Sequence, residues 1–247
     1  MTSESDTSVP KSTTDPTQLD KAGKSSRAEV AAFVAKAKAL GPNRADGKRG
    51  RLVFALDATM SRQPTWDTAC HLQSEMFRET ARIGGLDIQL VYFRGFGECR
   101  ASRWVRDGTQ LADLMGGISC RGGQTQIGKI LNHTIKETTK TKVDALVYVG
   151  DCMEEDIDGL CAKAGRLGLQ GVPAFVFQEG NEHNAERGFR EIARLTKGAF
   201  CKFDAGATEQ LRALLSAVAV YAAGGHMALG DLSKKSKDAR LLLEQMK

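Results

Sequence analysis

Between residues 51 and 223 the chain alternates between two hydrophobic periods. Short apolar runs recur as RLVFALD at 51–57, LDIQLVYFRG at 86–95, VDALVYVGD at 143–151, GVPAFVFQEG at 171–180 and AFCKF at 199–203. Runs this continuous fit strands covered on both faces of a sheet. CRASRWV at 99–105 fits a short edge strand. Elsewhere apolar positions return every three or four residues. Behind Pro64, the residues Trp66, Ala69, Leu72, Gln73, Met76, Phe77, Thr80 and Ile83 trace one stripe, closed by Gly84-Gly85. Further helices are predicted at 107–115, at 125–139 with Ile127, Ile130, Leu131 and Ile135 inward, at 154–169, at 184–198 ending on Gly198, and at 208–223.

Strands separated by helices imply βαβ units. The predicted fold class is α/β: a doubly wound, mostly parallel sheet flanked by helices over residues 51–223. Residues 1–26 are polar and expected to be disordered. Residues 27–50 hold an amphipathic helix, with Val30, Phe33, Val34, Ala37 and Leu40 on one face, and a Gly-containing linker. Residues 224–247 form a Gly-hinged tail whose final helix carries Leu241, Leu242, Leu243 and Met246.

Composition narrows the function. Of the 247 residues, 41% are hydrophobic, enough for one large core, while 6% aromatics is too sparse for a base-stacking nucleic-acid binder. The net charge of +5 comes from scattered rather than striped Lys and Arg, so no nucleic-acid footprint is expected. Six cysteines without a C-x-x-C pair read as reduced thiols of a cytoplasmic protein. No apolar run approaches the ~20 residues that span a bilayer, so no membrane partner is expected.

The chemistry gathers at strand ends. In open parallel sheets, ligands bind outside the carboxyl ends of the strands. Asp57, Thr59 and Ser61 follow the first strand, Asp151 ends the central one, and Thr125 stands in the Gly-rich loop RGGQTQIG. Two carboxylates and three hydroxyls are thus expected on one rim. They are hard oxygen donors suited to Mg²⁺ (or Mn²⁺), with Ala58 and Met60 turned away and Gly122 and Gly123 admitting close backbone approach. Alternatively, Asp57 is a nucleophile. The four histidines lack metal-ligand spacing and read as surface or packing residues, Trp104 reads as core, and Cys152 as a partly buried inert thiol.

DATMS at 57–61, GGQT at 122–125 and GD at 150–151 together resemble the von Willebrand factor A (vWA) domain. Its metal-ion-dependent adhesion site is built from D-x-S-x-S, a loop Thr and an Asp after the fourth strand. Thr59 replaces the first serine but keeps the hydroxyl. The acidic GDCMEED extends the pattern, so that Glu154, Glu155 or Asp156 could join the rim. The resemblance implies a binding module rather than an enzyme. Thr59 and Ser61 would hold the metal directly, Thr125 would join when ligand is bound, and Asp57 and Asp151 would act mainly through waters and hydrogen bonds. An Asp or Glu of a protein partner would complete the coordination. Intracellular relatives serve as adaptors, often beside AAA+ ATPases or chaperone-like machines.

A rival resemblance is to haloacid-dehalogenase-type phosphohydrolases, with Asp57 as nucleophile and Asp151 and Asp156 as metal ligands. There the position of Thr59 carries a second Asp as general acid, and none of Lys129, Lys140 and Lys142 sits in a matching context. That reading leaves Ser61 and GGQT without a role. A third reading is a domain of this fold with a purely structural site.

Overall fold

The computed structural model describes residue 28, residues 49–62 and 86–203, and residues 215, 216, 218, 219 and 222. The N-terminal tail, nearly all of the 27–50 segment, the stripe behind Pro64 and the 224–247 tail lie outside the described residues.

Six strands form one sheet in the order β3-β2-β1-β4-β5-β6. They are β1 (Gly50–Asp57), β2 (Leu86–Arg94), β3 (Glu98–Ala101), β4 (Ala145–Gly150), β5 (Ala174–Glu179) and β6 (Ala199–Phe203). All neighbours pair in parallel except β2 and β3. The described helices are α1 (Gly108–Gly116), α2 (Ile127–Lys140), α3 (Ile157–Leu169) and α4 (His183–Leu195). The doubly wound α/β architecture is the one that the alternating periods predict. No described helix is long and apolar enough to cross a membrane.

The apolar strands bury both faces, as their unbroken runs require. Leu52, Phe54 and Leu56 of β1 join Leu111 and Met115 of α1 on one side, together with Leu215, Val218, Ala219 and Ala222. Val53 and Ala55 face the other way, toward Ile127, Ile130 and Leu131 of α2, Leu160 and Leu167 of α3, and Phe189 of α4. Period-two alternation along β1 therefore feeds two cores at once.

Several boundaries differ from the sequence expectation. The edge strand, expected at 99–105, stops at Ala101 because Ser102 takes over the pairing. Its N–H donates to Leu90 O at 2.8 Å, and its Oγ accepts the Leu90 N–H at 3.0 Å. Val105 returns to the sheet through a bridge to Ile88. Trp104, between them, is half-buried: Arg51 lies 3.8 Å from its ring centre, and its Nε1–H donates to Glu137 at 3.0 Å. Helices α2 and α3 begin two and three residues later than expected, with Glu155 capping the first and Asp156 the second. Finally, α4 ends at Leu195, and the left-handed residue beyond its cap is Lys197 (φ 58°) instead of a glycine. Gly198 donates its N–H to Ala193 O at 2.8 Å, closing a Schellman turn. Its own lack of a side chain is needed elsewhere, since a Cβ there would lie 1.8 Å from Ala174 O.

This arrangement predicts opposite effects at adjacent positions. Gly198→Ala should destabilise by about 1–3 kcal/mol, the usual cost of forced overpacking. Lys197→Gly should stabilise by up to about 1 kcal/mol by relieving the left-handed backbone. Urea denaturation of the three proteins checks both signs.

Candidate metal centre at the sheet's switch point

From β1 the chain steps outward to β2, whereas β4 pairs on the other side of β1. Strand order therefore reverses between β1 and β4, and a crevice at their carboxyl ends is where ligands bind in such sheets. Asp57 is the last residue of β1 and is fully buried. Its Oδ1 accepts the Thr59 N–H at 2.7 Å, bending the chain back onto the strand end. The loop then tightens into one 3-10 turn at Met60–Arg62 rather than staying extended. Even so, Thr59 Oγ1 and Ser61 Oγ meet at 3.1 Å. Ala58 is buried in the core and Met60 is exposed, so the two do not share one side of an extended loop.

Asp151 leaves the end of β4 beside Asp57. A carboxylate oxygen of each and the Cys152 sulfur lie within 4.8 Å of one another. Asp57 Oδ2 and Asp151 Oδ1 are buried, and neither has a hydrogen-bond partner among the described residues. Leaving such atoms without partners is costly.

Electrostatics reflect the crowding. Burial pushes the Asp57 carboxyl up to about 7; hydrogen bonds from Thr59 oppose the rise, Asp151 adds to it and the Arg62 charge opposes it. Burial, reinforced by Asp151 and Asp57, holds the Cys152 thiol far above its ordinary range. Arg62 is itself buried and forms an ion pair with Glu179 at the end of β5. One guanidinium is thus shared among Glu179, Asp151 and Asp57, and the Asp57 and Asp151 carboxylates are a donor set that fits a divalent cation.

Thr125 is buried on the same rim, where it is clasped reciprocally by Glu154. The Thr125 N–H donates to Glu154 Oε2 at 2.9 Å, and the Glu154 N–H donates to Thr125 Oγ1 at 3.0 Å. Glu155 accepts the N–H groups of Ile127 and Gly128, capping α2 where Gln126 makes no side-chain cap. Asp156 is the N-cap of α3, accepting the Gly159 N–H at 2.7 Å. The acids that the sequence offered as extra rim ligands are therefore engaged as clasp and caps. Gly122 meets open space, and Gly123 is pressed against the Gly95 backbone, where a Cβ would lie 2.1 Å from the carbonyl oxygen. That close packing by itself requires a glycine at 123.

Sequence reasoning missed Arg62, which reads as an ordinary solvated charge, and the clasp, which joins residues 29 apart. Among the histidines, His133 packs as expected, its Nε2 lying 2.8 Å from Gln89 Oε1.

No family profile matches the chain, and no curated protein matches it in sequence. Solved structures share its fold. A von Willebrand factor type A structure from Catenulispora acidiphila aligns with TM-score 0.53 and 16% identity over 69% of this chain and 43% of that one. The SpRpn10 VWA domain aligns with TM-score 0.54 and 12% identity over 69% of this chain and 94% of that one. An aerotolerance-related membrane protein from Bacteroides fragilis aligns with TM-score 0.53 and 18% identity over 69% and 98%. The chain has a vWA-like fold.

The raised Asp57 pKa has a definite sign. The folded state binds this proton more tightly than the unfolded state. Its contribution to stability is complete below the unfolded value near 3.8 and is lost as pH rises to about 7. In chelator, Asp57→Asn should match wild type near pH 4 and exceed it by about 2–4 kcal/mol at pH 8. Urea titrations at the two pH values measure the difference.

Proposed function

We propose that this chain is a protein-interaction module that captures an acidic group of a partner protein through a divalent cation. Asp57, Thr59, Ser61 and Asp151, with Thr125 at the rim, are the residues that would hold the ion. The observation that carries this reading is the pair of buried carboxylate oxygens at the switch point, Asp57 Oδ2 and Asp151 Oδ1, without hydrogen-bond partners among the described residues. The neighbouring Thr59 and Ser61 hydroxyls add neutral oxygen donors. Such a set suits Mg²⁺ or Mn²⁺. When bound, the cation supplies Lewis-acid positions left under-neutralised by the neutral hydroxyls, which attract a partner's Asp or Glu.

The chain's own residues organise the capture. Asp57 fixes the loop by accepting the Thr59 N–H, and the 3-10 turn presents Ser61 at the surface. Glu154 holds the Thr125 loop against the loop that follows β4. The partner belongs to a multiprotein assembly, with an AAA+ ATPase or chaperone-like complex as the proposed setting. Hydrolysis through Asp57 is the weaker reading, because Asp156, its second metal ligand, is used as a helix cap.

Isothermal titration with Mg²⁺ and then Mn²⁺ tests the site. Wild type should bind. Ser61→Ala should weaken binding by about 10–100-fold, and Asp57→Asn should do at least as much. A generic phosphate ester should not be turned over by any of the three. Turnover abolished by Asp57→Asn, with metal binding intact in Ser61→Ala, would replace this function with the hydrolase.

A further inference from the structure

The all-oxygen donor set leaves out one atom of the cluster, the sulfur of a thiol that is hydrogen-bonded to Asp151. Cys152 Sγ lies within 4.8 Å of a carboxylate oxygen of both Asp57 and Asp151. We propose that Cys152 is a ligand of this centre, and that the site takes a thiophilic divalent cation of the zinc class in preference to magnesium. The inference rests on the metal-site reading above and changes the identity of its cation.

Zinc binds sulfur at about 2.3 Å and carboxylate oxygen at about 2.0–2.2 Å, which sets tetrahedral donor atoms roughly 3.6 Å apart. A cluster within 4.8 Å is therefore at most about an ångström from that spacing. Two further observations point at the same spot. Asp57 is fully buried with Oδ2 lacking a hydrogen-bond partner among the described residues, and the buried Asp151 Oδ1 lacks one as well. Magnesium coordinates oxygen and keeps its waters, so the sulfur would stand idle beside it. A thiolate among the donors selects softer ions.

Charge also balances. As the sulfur–metal bond forms, the thiol proton passes to water. Three anionic donors around a dication leave one net negative charge, which faces the buried Arg62 guanidinium near Asp151 and Asp57. Three protein donors leave a fourth position for a neutral donor, such as the nearby Thr59 or Ser61 hydroxyl.

The test uses the full chain, stripped with chelator and titrated with cobalt(II), a spectroscopic stand-in for zinc. Wild type should develop an intense near-ultraviolet sulfur-to-cobalt charge-transfer band. That band should vanish in both Cys152→Ser and Cys152→Ala, with zinc affinity falling about tenfold or more and magnesium affinity unchanged. A band that persists in both variants, no band in wild type, or unchanged zinc affinity would overturn the proposal. Asp57→Asn separates the two levels. If it abolishes magnesium and cobalt binding while wild type shows no band, the metal site stands and its sulfur ligand fails. If it leaves cobalt binding intact, the site itself fails.

Discussion

Parallel pairing of β1 with β4 sets Leu56 opposite Val149, so the two strands run out at nearly the same height. Asp57 is left at the end of one and Asp151 just beyond the other. Their approach is a consequence of register, and register is fixed by the two-sided core, since a one-residue slip would exchange the side chains facing the two helical layers. Burial of the Asp57 carboxyl, with a smaller repulsion from the half-buried Asp151, is the local cost of that placement. The surrounding loops answer it with the Thr59 N–H and the Arg62 charge.

The second constraint is the acidic stretch after β4. Glu154, Glu155 and Asp156 are consecutive, and each serves a different element: the Thr125 loop, the start of α2 and the start of α3. Three like charges survive side by side because each meets backbone N–H groups, two of the three at helix ends. One short loop thereby ties together the parts that shape the rim.

Much of this was legible in the sequence. The strands announced themselves because burial on both faces demands continuous apolar runs such as VFALD and ALVYVG. The hydroxyls at 59 and 61 and the carboxylate at 151 followed from the strand ends and from the vWA-like spacing. What stayed hidden depends on partners distant in sequence. Nothing local marks Glu155 as the cap of a helix that begins 28 positions earlier. The packing of Gly123 against Gly95 is equally invisible in the sequence. Lys197 takes a glycine's conformation because the adjacent glycine is committed to Ala174. Arg62 follows a site motif as any surface charge would, and only the fold shows it buried against Glu179.

The cap on α2 also settles which ions the rim can greet. Helix starts ordinarily offer a seat for phosphate or a free carboxylate through their exposed N–H groups. Here Glu155 already sits on the Ile127 and Gly128 amides, as an internal tenant of that seat. Stray cellular anions, abundant as they are, find the helix end taken. Under the function proposed above, selectivity for an acidic group would therefore rest on a cation in the Asp57–Asp151 crevice and not on the helix start, so that the surface would answer only when armed.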